Sequence, residues 1–135
     1  MPTDSEPTFF VDRSLGRKAV AAGLRSRGWS LVTLAEHFGI PEDEDVRDVE
    51  WLTLAGTRGW PALMKDEKIR YRSADKHALV SFDVTAFCLT GENLNSETMI
   101  ETLDSHRKTI ADVCAALAGP SPHIVSAKGL RRIDL

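Results

Sequence analysis

Short apolar runs and helix-like patterns alternate along the first half of the chain. The first run, residues 9–11 (FFV), is bounded by polar residues on both sides. A run of this kind is typical of a strand that is buried on both faces of a parallel sheet. A helix is predicted next over residues 14–27, with Ser14 as its cap and Gly28 at the position that commonly ends a helix.

The rest of the chain divides by the same signals. The pattern predicts strands at 29–34, 60–64 and 79–89, a turn at 37–44, a helix at 47–57, a loop or short helix at 69–77, a turn at 90–95, a long helix at 96–118 and an edge strand at 123–135. The order β-α-β-α-β predicts right-handed crossovers and a mostly parallel sheet. We therefore expect a single α/β domain over residues 8–135, preceded by a flexible leader at residues 1–7.

Composition narrows the class of protein. The hydrophobic fraction of 42% and the charged fraction of 27% are ordinary for a globular domain. No apolar run approaches the ~20 residues of a membrane span, and the first residues lack a signal pattern, so we expect a cytoplasmic protein. The net charge of −3 argues against a protein that coats nucleic acid, but it is compatible with one local basic patch. Cys88 and Cys114 lie in apolar stretches and are interpreted as small core residues.

Three aspartates occur at corresponding ends of the predicted elements. Asp12 follows the first strand directly, and Asp66 follows the strand at 60–64 after Lys65. Because parallel strands expose their carboxyl ends at the same edge of a sheet, these two residues are expected to be neighbours. Asp48 lies in the first turn of the helix that leads into the strand at 60–64, and it joins them if that helix begins near the same edge.

The combination of three carboxylates indicates a metal site. Taken singly, each acid has an ordinary explanation as a turn former, a helix cap or a residue that compensates the helix dipole. Brought together, they repel one another and raise each other's pKa values unless a cation lies between them. Oxygen ligands suit Mg²⁺ or Mn²⁺ rather than zinc. Such an ion can activate a water and stabilise the negative charge that develops on a phosphodiester.

The residues around these acids resemble the PIN-like nucleases. The segments FFVDRSLG, DVEWL and RGWPALMKD and the closing strand follow the order and spacing of that family, and they are most similar to its VapC45-type branch of bacterial toxins. The resemblance implies a three-layer α/β/α domain that acts as a Mg²⁺- or Mn²⁺-dependent endoribonuclease. It also implies an RNA substrate, an antitoxin encoded beside the protein, and a homodimer. Asp12, Asp48 and Asp66 match the metal-binding acids of the family.

Neighbouring charged residues are candidates for supporting roles. Those that would add a metal ligand or orient the ligands are Asp45, Glu50 and Glu67. For Asp45 and Glu50 an acidic loop exposed to solvent is the favoured explanation, and for Glu67, next to Asp66, the ordinary explanation is an exposed turn. Those that would hold RNA phosphates are Lys65, Arg13, Arg70 and Arg72. Each of these cations taken alone is compatible with ordinary surface charge, and Lys65 is the first choice because it adjoins Asp66.

The alternative class of function is a non-catalytic binding or signalling module. A receiver-like domain also gathers acids at the carboxyl edge of a parallel sheet, but it needs an acidic pair after the first strand. Here Arg13 follows Asp12. A degenerate PIN-like domain that only binds its partner is the other form of this alternative, and a metal-dependent cleavage assay separates it from an active nuclease.

Overall fold

A computed structural model describes residues 7–16, 18–42, 45–65, 84–91, 94–116 and 121–132. The strands in these residues are β1 (Phe9–Val11), β2 (Leu31–Thr33), β3 (Ala62–Lys65), β4 (Thr85–Leu89), β5 (Ser121–Ser126) and β6 (Gly129–Arg132). The helices are α1 (Ala19–Ser26), α2 (Leu34–Phe38), α3 (Asp48–Arg58), α4 (Ser96–Ser105) and α5 (Arg107–Ala116), and a 3₁₀ turn spans Arg13–Leu15. The loop or short helix predicted at 69–77 lies outside the described residues.

The strands form one sheet in the order β2-β1-β3-β4-β5-β6. Every pairing from β2 to β5 is parallel, and only β6 runs antiparallel to its neighbour β5. Strand β1 lies between β2 and β3, so the chain moves to one side of β1 first and to the other side afterwards. In open α/β sheets the crevice at the carboxyl ends of such strands is the usual ligand site.

Helices cover both faces of the sheet and form a three-layer α/β/α domain. On one face, α1 and α4 pack Leu24 and Leu103 onto Phe9 and Phe87 of the sheet. On the other face, α3 contributes the buried residues Trp51, Leu52 and Ala55 to a second core cluster. The predicted fold class is confirmed. Among the described helices, none has both the length and the apolar character that a bilayer crossing requires.

The region after β1 differs from the predicted helix at 14–27. Asp12, not Ser14, is the N-cap residue, and it caps the short 3₁₀ turn rather than α1. Gly16 then takes a φ of +94°, a conformation that favours glycine, and α1 begins only at Ala19. At the far end the prediction is confirmed, because Gly28 follows the C-cap residue Arg27 with a φ of +91°.

The first two residues of the predicted turn at 37–44 belong to a short helix, α2. Strand β2 ends at Thr33, and α2 starts at the next residue, Leu34. The Thr33 hydroxyl accepts a hydrogen bond from the Glu36 backbone N–H at 3.1 Å, and the Glu36 carboxylate accepts one from the Thr33 backbone N–H at 3.0 Å. This capping box satisfies two backbone donors and stabilises a helix of only five residues directly against the strand.

Two predictions for the second half of the chain are wrong in detail. The single helix at 96–118 is two helices separated at His106, whose ring Nε2 is 2.9 Å from the carbonyl oxygen of Ser126. The single edge strand at 123–135 is instead the hairpin of β5 and β6, in which Ser126 pairs with Gly129. Neither cysteine forms a disulfide; Cys88 is buried, and Cys114 is half-buried against the core, where burial raises the pKa of its thiol to about 11.

Candidate active site at the carboxyl edge of the sheet

Asp12 lies directly after the central strand β1, at the carboxyl edge of the sheet. Its side chain is only 3% exposed, and its Oδ2 accepts a hydrogen bond from the Ser14 backbone N–H at 3.2 Å. The strand and the cap together fix this carboxylate in one position. The sequence predicts an acid at the carboxyl end of this strand, and the structure adds that the acid is buried.

Two hydrogen bonds connect the carboxyl ends of β1 and β3. The Asp12 backbone N–H donates to the Leu63 carbonyl at 3.0 Å. The Lys65 backbone N–H donates to the Ser14 hydroxyl, also at 3.0 Å. The second bond crosses 51 positions of sequence and places the end of β3 against the turn that follows Asp12. Sequence reasoning assigned Ser14 a capping role and missed this one, because no local pattern marks a hydroxyl that serves a distant backbone donor.

The helix that begins with Asp48 is oriented toward the same edge. Helix α3 ends at Arg58, and only the three residues 59–61 connect it to β3, which begins at Ala62, so it runs antiparallel to the strands. Trp51 in its first turns stacks on Phe10 of β1, with ring centroids 5.4 Å apart. The start of α3 therefore lies toward the carboxyl edge, as the sequence argument requires. The position of the Asp48 side chain is outside the described part of the structure.

Two of the acids predicted as supporting residues are described. Glu50 turns back to the start of its own helix, where its Oε1 accepts a hydrogen bond from the Arg47 backbone N–H at 3.3 Å. The same oxygen lies 3.5 Å from Arg47 Nε. Asp45 is exposed, and its backbone N–H donates to the Glu42 carbonyl at 3.1 Å. Asp45 therefore belongs to the loop before α3, and Glu50 belongs to the first turn of that helix.

The cations beside the site are described in part. Arg13 is half-buried in the 3₁₀ turn after Asp12, and Lys65 is half-buried at the end of β3. Strand alternation directs Lys65 to the face opposite that of the buried Met64. The remaining predicted residues lie outside the described part of the chain, namely Asp66, Glu67, Arg70 and Arg72. Within the described ranges, no group of three or more His, Cys, Asp or Glu residues could hold a metal ion.

Comparison with known proteins agrees with this architecture. A family model described as "PIN like domain" matches residues 7–91, which is more than half of the chain. The chain therefore belongs to the PIN-like domain family, and the resemblance inferred from its sequence segments is confirmed. A protein of Mycobacterium tuberculosis, described as "Putative ribonuclease VapC45", is 29% identical over 115 residues, which are 85% of this chain and 81% of that protein. No solved structure matches the chain.

Proposed function

We propose that this protein is a Mg²⁺- or Mn²⁺-dependent endoribonuclease and the toxin of a toxin–antitoxin pair. The observation that carries the proposal is the buried carboxylate of Asp12 at the carboxyl end of the central strand of a PIN-like domain. A carboxylate that is 3% exposed is largely shielded from water, and a bound divalent cation is one of the partners that stabilises its charged form there. Its location at the divergence of the connections is where this kind of sheet binds ligands.

The donor set fits a hard divalent cation. Asp12, Asp48 and Asp66 would hold the ion, and carboxylate oxygens are the ligands that Mg²⁺ and Mn²⁺ prefer. When bound, the ion supplies positive charge against the developing charge of the phosphodiester and lowers the pKa of a water. The hydrogen bond between the Lys65 N–H and the Ser14 hydroxyl supports this arrangement. It positions Lys65, the last residue of β3 and the residue before Asp66, relative to Asp12.

RNA and an antitoxin are the proposed partners. The name of the Mycobacterium tuberculosis relative, which describes a ribonuclease, supports RNA as the substrate. Lys65, Arg13, Arg70 and Arg72 are proposed to contact RNA phosphates beside the acids. The resemblance to VapC45-type toxins supports an antitoxin that occupies the same groove, a cytoplasmic location and a homodimer.

A cleavage assay with matched acid variants tests the proposal. Purified protein is incubated with single-stranded RNA in Mn²⁺, in Mg²⁺ and in excess EDTA, and product formation is followed on gels. Removal of an ion that contributes several kcal/mol to stabilising the transition state lowers the rate by ~100-fold or more. Asp12→Asn is expected to have the same effect. Asp112→Asn changes an exposed acid on α5, paired with Lys108 at 3.8 Å, and is expected to leave the rate unchanged.

Three results of this assay would contradict the proposed function or its assignment to Asp12. Cleavage that persists in EDTA would contradict metal dependence. Absence of cleavage by the wild-type protein in both metals, with RNA binding retained, would favour the non-catalytic PIN-like alternative. Equal losses in Asp12→Asn and Asp112→Asn would show that the effect does not arise from this site.

A further inference from the structure

A cavity of about 330 Å³ lies at the turn end of the β5–β6 hairpin. Its size is at the lower end of the range for small-molecule sites. It combines apolar, hydroxyl and cationic side chains, and its lining includes Thr90, Ile124, Ser126, Lys128, Leu130 and Arg131. A nucleotide also combines these characters, since its base is flat and largely apolar, its ribose bears hydroxyls and its phosphate is anionic.

Hydrogen bonds from β4 and from the α4–α5 junction position the residues that line this cavity. The Thr90 backbone N–H donates to the Val125 carbonyl at 2.9 Å, which extends the β4–β5 pairing one residue beyond β4. The Ser126 carbonyl is 2.9 Å from Nε2 of His106, the residue between α4 and α5. The Ser126 hydroxyl accepts a hydrogen bond from the Lys128 backbone N–H at 3.2 Å and so orders the turn. The cavity is therefore part of the ordered sheet.

The two cations at this cavity have no carboxylate partner among the described residues. Lys128 and Arg131 are both exposed, and neither forms an ion pair with any described residue. Cations that do form such pairs elsewhere in the described chain are Arg25, Arg27, Arg47 and Lys108. Two cations without an ion-pair partner in the described ranges, side by side at one cavity in a protein with a net charge of −3, form a local site for anions.

The cavity and Asp12 share one face and one edge of the sheet. Asp12 is two residues after Phe10 and has an extended backbone (φ −72°, ψ 152°). It is therefore on the same face of the sheet as Phe10, which is the face that α3 covers. Cys88 belongs to the same core cluster, and Thr90 is two residues further along that face. Three strand spacings separate β1 from β5, which is about 14 Å. To cover this distance, single-stranded RNA needs several nucleotides on one side of the cleaved bond, more than a trinucleotide that spans the bond provides.

We propose that the hairpin cavity binds a nucleotide of the same RNA strand that is cleaved at Asp12, with Lys128 and Arg131 on its phosphate. This inference rests on the proposed function, because it names a second contact of the substrate with the same edge. The preferred substrate is then an RNA that is long enough to contact both Asp12 and the hairpin cavity. A trinucleotide at the acids would not reach the hairpin, whereas a strand of about ten nucleotides would.

A binding measurement with two RNA lengths tests the cavity. Fluorescent oligonucleotides of three and about ten nucleotides are titrated with Asp12→Asn protein in Mg²⁺, with and without Lys128→Ala and Arg131→Ala. The double substitution is expected to weaken binding of the longer RNA ~10-fold and to leave the trinucleotide unchanged. The slope of log K against log salt should fall by about 0.7 for each lost phosphate contact. Lys108→Ala removes a 92%-exposed cation on α5 and serves as the control.

The two lengths separate the possible failures. If the longer RNA binds the double variant as tightly as it binds the parent, the cavity is not an RNA site and the proposal is wrong, whether or not the wild-type protein cleaves RNA. If Lys108→Ala weakens binding as much as the hairpin substitutions do, only general charge is involved and the proposal is again wrong. If wild-type protein neither binds nor cleaves either RNA with Mg²⁺ or Mn²⁺, the proposed function fails and this inference fails with it. Thermal melting of each variant checks that these exposed substitutions leave the fold intact.

Discussion

The Ser14 hydroxyl accepts a hydrogen bond from the backbone N–H of Lys65, 51 positions away in the sequence. At the same time, the Ser14 backbone N–H donates to the carboxylate of Asp12. One serine thus connects the predicted metal-binding acid after β1 to the last residue of β3, which precedes Asp66 in the chain. In the proposed metal site, Ser14 would act as a positioning residue, because it connects the turn after Asp12 to the last residue before Asp66.

Replacement of Ser14 by alanine is expected to lower both stability and metal affinity. The change removes one hydrogen bond and leaves the part-buried Lys65 N–H without its acceptor, at a cost of about 1–2 kcal/mol. The Mn²⁺ concentration that gives half of the maximal rise in melting temperature should increase several-fold. Ser14→Thr keeps the hydroxyl and should restore most of the affinity. Equal loss of affinity in the alanine and threonine variants would contradict the positioning role.

Asp12 can be tested with two substitutions that separate its capping role from its proposed ligand role. Asn caps helices as well as Asp does, whereas Ala at such a position costs ~1 kcal/mol. Asp12→Asn is therefore expected to be about 1 kcal/mol more stable than Asp12→Ala in urea unfolding without metal. The wild-type protein is expected to be stabilised by Mn²⁺, and both variants should lose this stabilisation. Retention of that stabilisation in Asp12→Asn would mean that Asp12 does not bind the ion.

The contact between α1 and α4 depends on the absence of a side chain at position 23. A Cβ atom at Gly23 would collide with the side chain of Ile100. Gly23→Ala alone should destabilise the protein by about 1–2 kcal/mol, because overpacking outweighs the gain in helix propensity of about 1 kcal/mol. In an Ile100→Ala background the same substitution should be stabilising. Equal effects in both backgrounds, measured by chemical denaturation, would contradict this contact.

The ion pair of Arg25 and Glu36 predicts a small pH-dependent contribution to stability. The Arg25 guanidinium donates to both Glu36 carboxylate oxygens, at 2.7 and 2.6 Å, and this contact lowers the pKa of Glu36 below its ordinary value of 4.5. A lowered folded-state pKa stabilises the protein above the unfolded-state pKa, and the contribution disappears as the pH falls through the folded-state value. Both side chains are partly exposed, so the effect is less than about 1 kcal/mol.

Glu36→Gln measures this contribution, because glutamine can preserve the capping box with Thr33. The variant should be slightly less stable than the wild-type protein at pH 7, and the difference should shrink below about pH 4.5, the ordinary pKa of the acid. Urea unfolding at several pH values provides the comparison. A difference that is the same at pH 7 and pH 3 would show that charge plays no part in it.

Sequence reasoning was most successful where one local signal determines the structure. The apolar run at 9–11 is a buried central strand, and the acid that follows it lies at the expected edge. It was less successful where a distant contact decides the outcome. The spacing of apolar residues continues through His106, but the helix is interrupted there, where the His106 ring meets Ser126 of β5. No pattern within residues 96–118 contains that contact.

The hairpin of β5 and β6 could have been predicted from a signal that was present. Gly129 has a φ of +138° and directly follows the two-residue turn of Ala127 and Lys128. A glycine in the middle of an alternating segment commonly marks such a turn. Without the hairpin, Lys128 and Arg131 appear as unrelated charges in a single strand, which is why the cavity between them was not anticipated.

Crystals of the protein grown with Mn²⁺, and the anomalous scattering of the ion, test the central claim most directly. The account predicts an ion at the carboxyl edge beside β1, with oxygens of Asp12, Asp48 and Asp66 within about 2.5 Å of it. A well-ordered structure that places these three carboxyl groups more than ~12 Å apart, with no ion between them, would contradict the proposed metal site.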